Sequence, residues 1–251
     1  MAWDPGAAFD WGGGKLLRVV SSKVLGTLDV ANGNPVAKIA LDSNSDVFTA
    51  SPDGRLVALG DERGFCGRRT DDGSLVFRRD IGRVRSIAFR GDGARLIVGM
   101  DGLEARVCDP ATGATLLVLA GHGAGVSDAR FSPDQQSIAT ASGDGTVRLW
   151  EAQLGIPLKT WHGHVGPVRR LLFTPDGRRL VTGGDDGTVR VWNSTDDWDP
   201  FLLKHPHSVY GIAFSPTARA SRADASSPKA PRSLCGMWRP GPRLRRGSTR
   251  R

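Results

Sequence analysis

A phenylalanine that ends a short apolar segment recurs along the sequence at spacings of 42, 42 and 41 residues, at Phe89, Phe131, Phe173 and Phe214. The segments that it ends all begin with valine: VRSIAF (84–89), VSDARF (126–131), VRRLLF (168–173) and VYGIAF (209–214). A constant period of this length is typical of stacked repeat units, in which each unit buries its apolar face only against its neighbours. We therefore expect an array of similar units rather than one irregular domain.

Each repeat unit contains four short apolar segments, separated by turns rich in Gly, Asp and Pro. A turn and the second segment are found in SPDGRLVALG (51–60), RGDGARLIVGM (90–100), SPDQQSIATA (132–141) and TPDGRRLVTGG (174–184). The third segments include ARVCD (105–109), VRLWE (147–151) and VRVWN (189–193). Apolar segments of this length between such turns are typical of antiparallel strands, so the sequence predicts an all-β chain.

The repeat pattern predicts five complete units and the start of a sixth. The complete units span about 5–41, 46–80, 84–120, 126–161 and 168–204, and the partial unit spans 209–216. After Pro216 the pattern stops, so we interpret residues 1–216 as one repeat domain and 217–251 as a basic, disordered tail. The tail is either a natural segment or an out-of-frame extension, and the sequence leaves both explanations open.

The positive charge of the chain belongs to this tail. Residues 217–251 hold ten basic residues and one acidic residue, a charge of +9, whereas the other 216 residues sum to −1. Net charge therefore predicts no nucleic-acid surface on the folded body. The tail is the one segment whose charge suits a polyanion.

Two units carry a Gly-His pair near their start and a Trp followed by a polar residue near their end. These pairs are Gly121-His122 with Trp150-Glu151, and Gly163-His164 with Trp192-Asn193. Four-stranded units of this period and with these pairs resemble the WD-repeat β-propeller family over about 5–216, most strongly in 121–161 and 163–204. The resemblance implies an incomplete propeller of about five four-stranded antiparallel blades plus one strand, because propellers of this family usually have seven blades.

Four residue types recur at the same offsets in these two units: His122, Thr140, Asp144 and Trp150, and then His164, Thr182, Asp186 and Trp192. The resemblance implies that each set is a hydrogen-bonded network in which the Asp and the Thr hold the His, which connects to the indole N–H. Buried polar groups need partners, so such a network fixes the geometry of a blade. A hydroxyl, an imidazole and a carboxylate also form hydrolytic sites, but duplication in successive units favours a structural role.

Histidine pairs occur in the sequence at 162/164 and 205/207, and neither pair has a second pair of ligands nearby. We therefore predict no metal site, no cofactor and no catalytic residue.

Residues that enter the first strand of each unit are expected to face the central channel on the loop face of a propeller. The candidates for a partner-binding rim are Arg83, Arg85, Ser127, Arg169 and Tyr210. Arg and Tyr are enriched at binding hot spots. One interpretation is that an acidic or phosphorylated peptide docks against the three arginines, and the other is an ordinary charged rim.

The most economical hypothesis is a non-catalytic protein–protein interaction scaffold. Two alternatives stay open: a truncated fragment of a larger multi-domain WD-repeat protein with no independent function, and a propeller enzyme. No apolar run reaches the roughly 18 residues of a membrane helix. An odd number of cysteines and no recognisable secretory signal predict a cytoplasmic location. An open propeller would expose strand edges, so we expect self-association in that case.

Overall fold

The structure is a computed structural model that describes residues 9–12, 15–21, 24–29, 35–40, 45, 47–193, 201–214 and 221–224. All regular secondary structure in these ranges is β-strand, with no helix, and the 22 strands form six separate antiparallel sheets. Within the described residues there is accordingly no helix long and apolar enough to cross a membrane.

Five of the sheets have four strands each, in chain order. The first contains β1 (Phe9–Gly12), β2 (Lys15–Ser21), β3 (Val24–Asp29) and β4 (Pro35–Ala40), and the second contains β5 (Val47–Ala50), β6 (Leu56–Gly60), β7 (Gly64–Arg69) and β8 (Leu75–Asp80). The third contains β9 (Val84–Phe89), β10 (Leu96–Met100), β11 (Glu104–Cys108) and β12 (Thr115–Ala120). The fourth contains β13 (Val126–Phe131), β14 (Ser137–Ser142), β15 (Thr146–Glu151) and β16 (Pro157–His162). The fifth contains β17 (Val168–Phe173), β18 (Arg179–Gly184), β19 (Thr188–Asn193) and β20 (Phe201–Lys204).

Tight turns shape the hairpins within these sheets. The turn between β14 and β15 contains Gly145 at φ 81°, and the turn between β18 and β19 contains Gly187 at φ 69°. Glycine adopts this left-handed conformation without a steric penalty, which explains the Asp-Gly pairs of the sequence. Each turn joins the second and third strands of its sheet, so the two turns lie at equivalent ends of their sheets.

Apolar side chains between successive sheets form the core. The first strands pack in series, β5 on β9, β9 on β13, β13 on β17 and β17 on β21 (Gly211–Phe214). Between the fourth and fifth sheets, Val147 and Leu149 share one buried cluster with Val168, Leu171 and Leu180. From the second sheet onwards, each sheet thus buries its apolar face against the next, as the repeat predicts.

The all-β class and the repeated four-stranded antiparallel blades predicted from the sequence are confirmed. The sheets are therefore called the first to fifth blades. No described strand of the first blade pairs with a strand of the last sheet, so no closed sheet is formed.

The sixth unit differs from our expectation of a single strand. β21 pairs antiparallel with β22 (Ser221–Asp224), which lies in the predicted tail. The open edge of β21 offers unpaired backbone groups, and these pair with an extended segment whatever its side chains. Residues 225–251 lie outside the described residues, and the disorder expected there stays a prediction.

Candidate functional site

The predicted network of the fourth blade forms a continuous set of polar contacts. Trp150 Nε1 donates a hydrogen bond to Thr140 Oγ1 at 2.9 Å, and His122 Nε2 lies 2.8 Å from the same hydroxyl. His122 Nδ1 lies 3.0 Å from Asp144 Oδ2. The network joins two strands, the turn between them and the loop before β13. The indole contacts the Thr hydroxyl, whereas we expected it to contact the imidazole.

A neutral imidazole allows every hydrogen in this network to have one acceptor. The Thr140 hydroxyl accepts the indole N–H and donates its own hydrogen to His122 Nε2, and Nδ1–H is donated to Asp144. The hydrogen-bond partners thus assign the proton of His122 to Nδ1. Burial acts in the same direction, because it lowers the pKa of His122.

Asp144 also accepts hydrogen bonds from residues that were not predicted as members of the network. Thr146 donates its backbone N–H at 2.8 Å and its hydroxyl at 2.7 Å to Oδ1, and the Gly123 N–H donates to Oδ2 at 2.7 Å. Burial raises the pKa of Asp144, but these hydrogen bonds outweigh burial and bring the pKa well below its usual range. Thr146 is a further member of the network. The threonine that follows Asp-Gly in both units is the signal that could have identified it.

The fifth blade repeats the same geometry. Trp192 Nε1 donates to Thr182 Oγ1 at 2.8 Å, and His164 lies 2.7 Å from that hydroxyl and 3.0 Å from Asp186 Oδ2. Thr188 donates to Asp186 at 2.7 Å. Burial lowers the pKa of His164, and hydrogen bonds lower that of Asp186 although burial opposes them.

The two central hydroxyls are inaccessible to a substrate. Thr140 and Thr182 are fully buried, and each already contacts an indole and an imidazole. A nucleophile must reach its substrate, so the geometry favours a structural role for both networks. Among the described residues, no three His, Cys, Asp or Glu side chains are grouped so that they could hold a metal ion.

Acid is expected to destabilise both blades through their histidines. The pKa of His122 and His164 is lowered in the folded state, so the unfolded state takes up protons first as the pH falls below about 6.5. The free energy of unfolding should therefore decrease between about pH 7 and about pH 5. The double variant His122→Gln/His164→Gln should show a smaller decrease in urea unfolding measured at each pH. An equal slope in variant and wild type would contradict this assignment.

All five residues predicted for the rim line one cavity of about 290 Å³, together with Val47, Val84 and Arg170. We call it the rim cavity. Its wall is formed where the first strands of successive blades begin. The pairing register shifts around Ser127 in β13 and around Arg169 in β17. Such irregularities redirect side chains, and here they lie at the cavity wall.

Two rim arginines are already paired with carboxylates. Arg85 Nε donates to Asp101 at 2.6 Å, and Arg169 Nε donates to Asp185 at 2.9 Å, with a second contact between the same partners. The hydrogen bonds to Asp185 raise the pKa of Arg169. Asp101 and Asp185 each directly follow the second strand of their blade. The equivalent position in the fourth blade is Gly143.

Arg170 differs from these two arginines and was missed in the sequence. Its side chain is exposed, and its hydrogen bond is to the backbone oxygen of Arg169 at 3.3 Å. Among the described residues no carboxylate pairs with it. Arg83 Nη1 lies 3.9 Å from a carboxylate oxygen of Glu62, and both of these side chains are exposed. Arg170 thus differs from Arg85 and Arg169 in having no ion pair with a described carboxylate.

A sequence match to a protein-family model supports the repeat assignment independently of the structure. The model described as "WD domain, G-beta repeat" matches residues 113–151 and 155–193. Each match ends one residue after a network tryptophan and begins just before the fourth strand of the preceding blade. The sequence repeat is therefore offset from the blade by one strand.

Curated proteins with similar sequences come from several eukaryotes. The chain is 38% identical over 68 residues to a serine-threonine kinase receptor-associated protein of Dictyostelium discoideum, covering 27% of the chain and 23% of that protein. It is 31% identical over 136 residues to SEC12-like protein 1 of Arabidopsis thaliana, covering 53% and 34%. It is 30% identical over 131 residues to WD repeat-containing protein 82 of Drosophila melanogaster, covering 49% and 39%.

The aligned segments span about a quarter to two fifths of the length of these relatives. Residues 113–151 and 155–193 are WD40 repeats, and the chain is similar to WD-repeat proteins.

Proposed function

We propose that this chain is a non-catalytic interaction scaffold of the cytoplasm that binds an acidic segment of a protein partner in the rim cavity. WD40 repeats generally mediate protein–protein interaction, and members of the family are typically non-catalytic. The observation that carries the proposal is the cavity itself, because four of its eight lining residues are arginines and none is acidic. The buried free thiols of Cys66 and Cys108 support a reducing compartment.

The four arginines of the rim cavity favour an acidic partner, and their ion pairs indicate which of them is available to bind it. Arg85 and Arg169 are held by Asp101 and Asp185, so binding a new anion through them requires breaking an ion pair. Arg170 can donate hydrogen bonds to a carboxylate or a phosphate without breaking an ion pair. A charge-assisted hydrogen bond from a guanidinium is also about twice as strong as a neutral one. We therefore assign Arg170 as the anchor.

Replacing Arg170 with alanine should weaken the binding of a fluorescein-labelled oligo-glutamate peptide by about tenfold, since a hydrogen bond to a charged group contributes about 1.5–3 kcal/mol. Binding is measured by fluorescence anisotropy at low and at physiological salt, and salt should weaken it. The matched control is Arg179→Ala, because Arg179 is also exposed but lies at the other end of the β17–β18 hairpin.

Equal loss in the two variants would assign the binding to general surface charge and would contradict the proposal. An oligo-glutamine peptide of the same length should not bind. If the wild-type chain binds neither peptide, the rim cavity is not a site for acidic segments.

A further inference from the structure

Tyr210 is the one tyrosine of the 251-residue sequence, and its side chain lies at the rim cavity. It is 42% exposed, immediately before β21. The neighbouring Val209 is fully buried against Val181 and Val189 of the fifth blade. Val209 thus anchors the loop, while the phenol next to it stays accessible.

Tyr210 contacts one of the cavity arginines. The guanidinium carbon of Arg169 lies 5.7 Å from the centre of the Tyr210 ring, within the range of a cation–π contact. Arg170 lines the same cavity. A negative charge added to this ring would therefore arise beside the Arg169 guanidinium, which Asp185 already binds, in a cavity whose lining has no acidic residue.

A phosphoryl group on Tyr210 would supply the negative charge that the lining of the rim cavity lacks. Phosphorylation of a tyrosine adds a charge of about −1.5 to −2 and three strong acceptor oxygens. Phosphate binds arginine through paired, charge-assisted hydrogen bonds. The phosphate would thus compete for the groups that bind an acidic partner, with the advantage of being attached to the same chain.

An enzyme can reach this tyrosine at a low cost in local unfolding. A kinase binds its substrate as an extended segment, so the loop 205–210 and the start of β21 must open. The last sheet has two described strands, whereas each blade before it has four. β21 and β22 pair over four residues each, and so short a strand pair is marginal in stability, so the pair should open more readily than the central blades.

We propose that Tyr210 is a phosphorylation site and that its phosphate closes the rim cavity to acidic partners. A tyrosine kinase transfers the γ-phosphoryl group of Mg·ATP to the phenolic oxygen. The new O–P bond forms as the bond to ADP breaks, and the phenolic proton leaves to the base of the kinase. The inhibitory consequence rests on the proposed function, whereas the modification and the capture of its phosphate by arginine do not.

The test uses the full chain and a tyrosine kinase chosen because it phosphorylates the isolated peptide 205–215. Intact mass and peptide mapping measure the modification, and Tyr210→Phe is the matched control because the sequence holds no other tyrosine. We expect the folded chain to be phosphorylated at Tyr210 and the control to stay unmodified. A folded chain that is not phosphorylated under conditions that modify the peptide would overturn the proposal.

Two readouts then separate the modification from the proposed function. Labelling with phenylglyoxal measures the accessibility of Arg170, and phosphorylation should slow its labelling about tenfold without slowing that of Arg179. The affinity for the oligo-glutamate peptide should fall about tenfold as well. Unchanged labelling of Arg170 in the phosphorylated chain would overturn the inference. Slowed labelling in a chain that never bound the peptide would reject the proposed function and retain the phosphate capture.

Discussion

Replacing Trp150 with alanine is expected to lower the free energy of unfolding by about 3–5 kcal/mol, the usual range for truncation of a buried aromatic side chain. The indole is 2% exposed and packs with Leu119 and Ile138 between the third and fourth blades. Its removal leaves a cavity in this cluster and also removes the donor to Thr140. Both effects act on the same pair of blades.

Urea unfolding followed by circular dichroism measures this loss without depending on tryptophan fluorescence. Because each blade contacts only its neighbours, hydrogen exchange should show the largest loss of protection in the third and fourth blades. The control is Leu154→Ala, since Leu154 is 70% exposed and should change stability by less than about 0.5 kcal/mol. Equal effects of the two substitutions would contradict the packing of Trp150.

Residue identities that recur at fixed offsets made the two networks predictable. His122 and His164 occupy equivalent positions, as do the acids 22 residues after each of them. The paired arginines carry a similar signal, because Arg85 and Arg169 each precede their aspartate by 16 residues. That repeated spacing was present in the sequence, and comparing units at this offset would have identified both ion pairs.

The place of Arg170 on the cavity could not be predicted from strand alternation. In a regular strand, neighbouring side chains point to opposite faces, so only one of Arg169 and Arg170 would face the cavity. The register shift between Val168 and Arg170 changes this, and both arginines line the cavity. β22 was missed for another reason: it pairs through its backbone, and its sequence SRAD has no apolar alternation.

A blade that lacks the network can be held by polar pairs of a different kind. In the second blade, Asp61 is 5% exposed and accepts hydrogen bonds from the backbone of Arg63 and Gly64. The guanidinium of Arg78 on β8 donates twice to its carboxylate, at 3.0 and 3.1 Å. The turn is thus fixed to the outermost strand through Arg78. A blade can therefore satisfy the same buried turn without the His and Trp of the repeat signature.

The shared hydroxyl of each network is the position where loss of one oxygen should have the largest effect. Thr140→Val keeps the shape of the side chain but leaves the indole N–H of Trp150 and Nε2 of His122 without a partner. Each unpaired buried group costs about 1–3 kcal/mol, so we expect the two together to lower stability by about 2–6 kcal/mol. Thr140→Ser keeps the hydroxyl and loses one methyl group, which should cost about 1 kcal/mol.

The comparison of these two variants separates hydrogen bonding from packing, because valine preserves the volume and serine preserves the polar contact. Urea unfolding gives both losses. A valine variant as stable as the serine variant would show that the network holds the blade through packing alone.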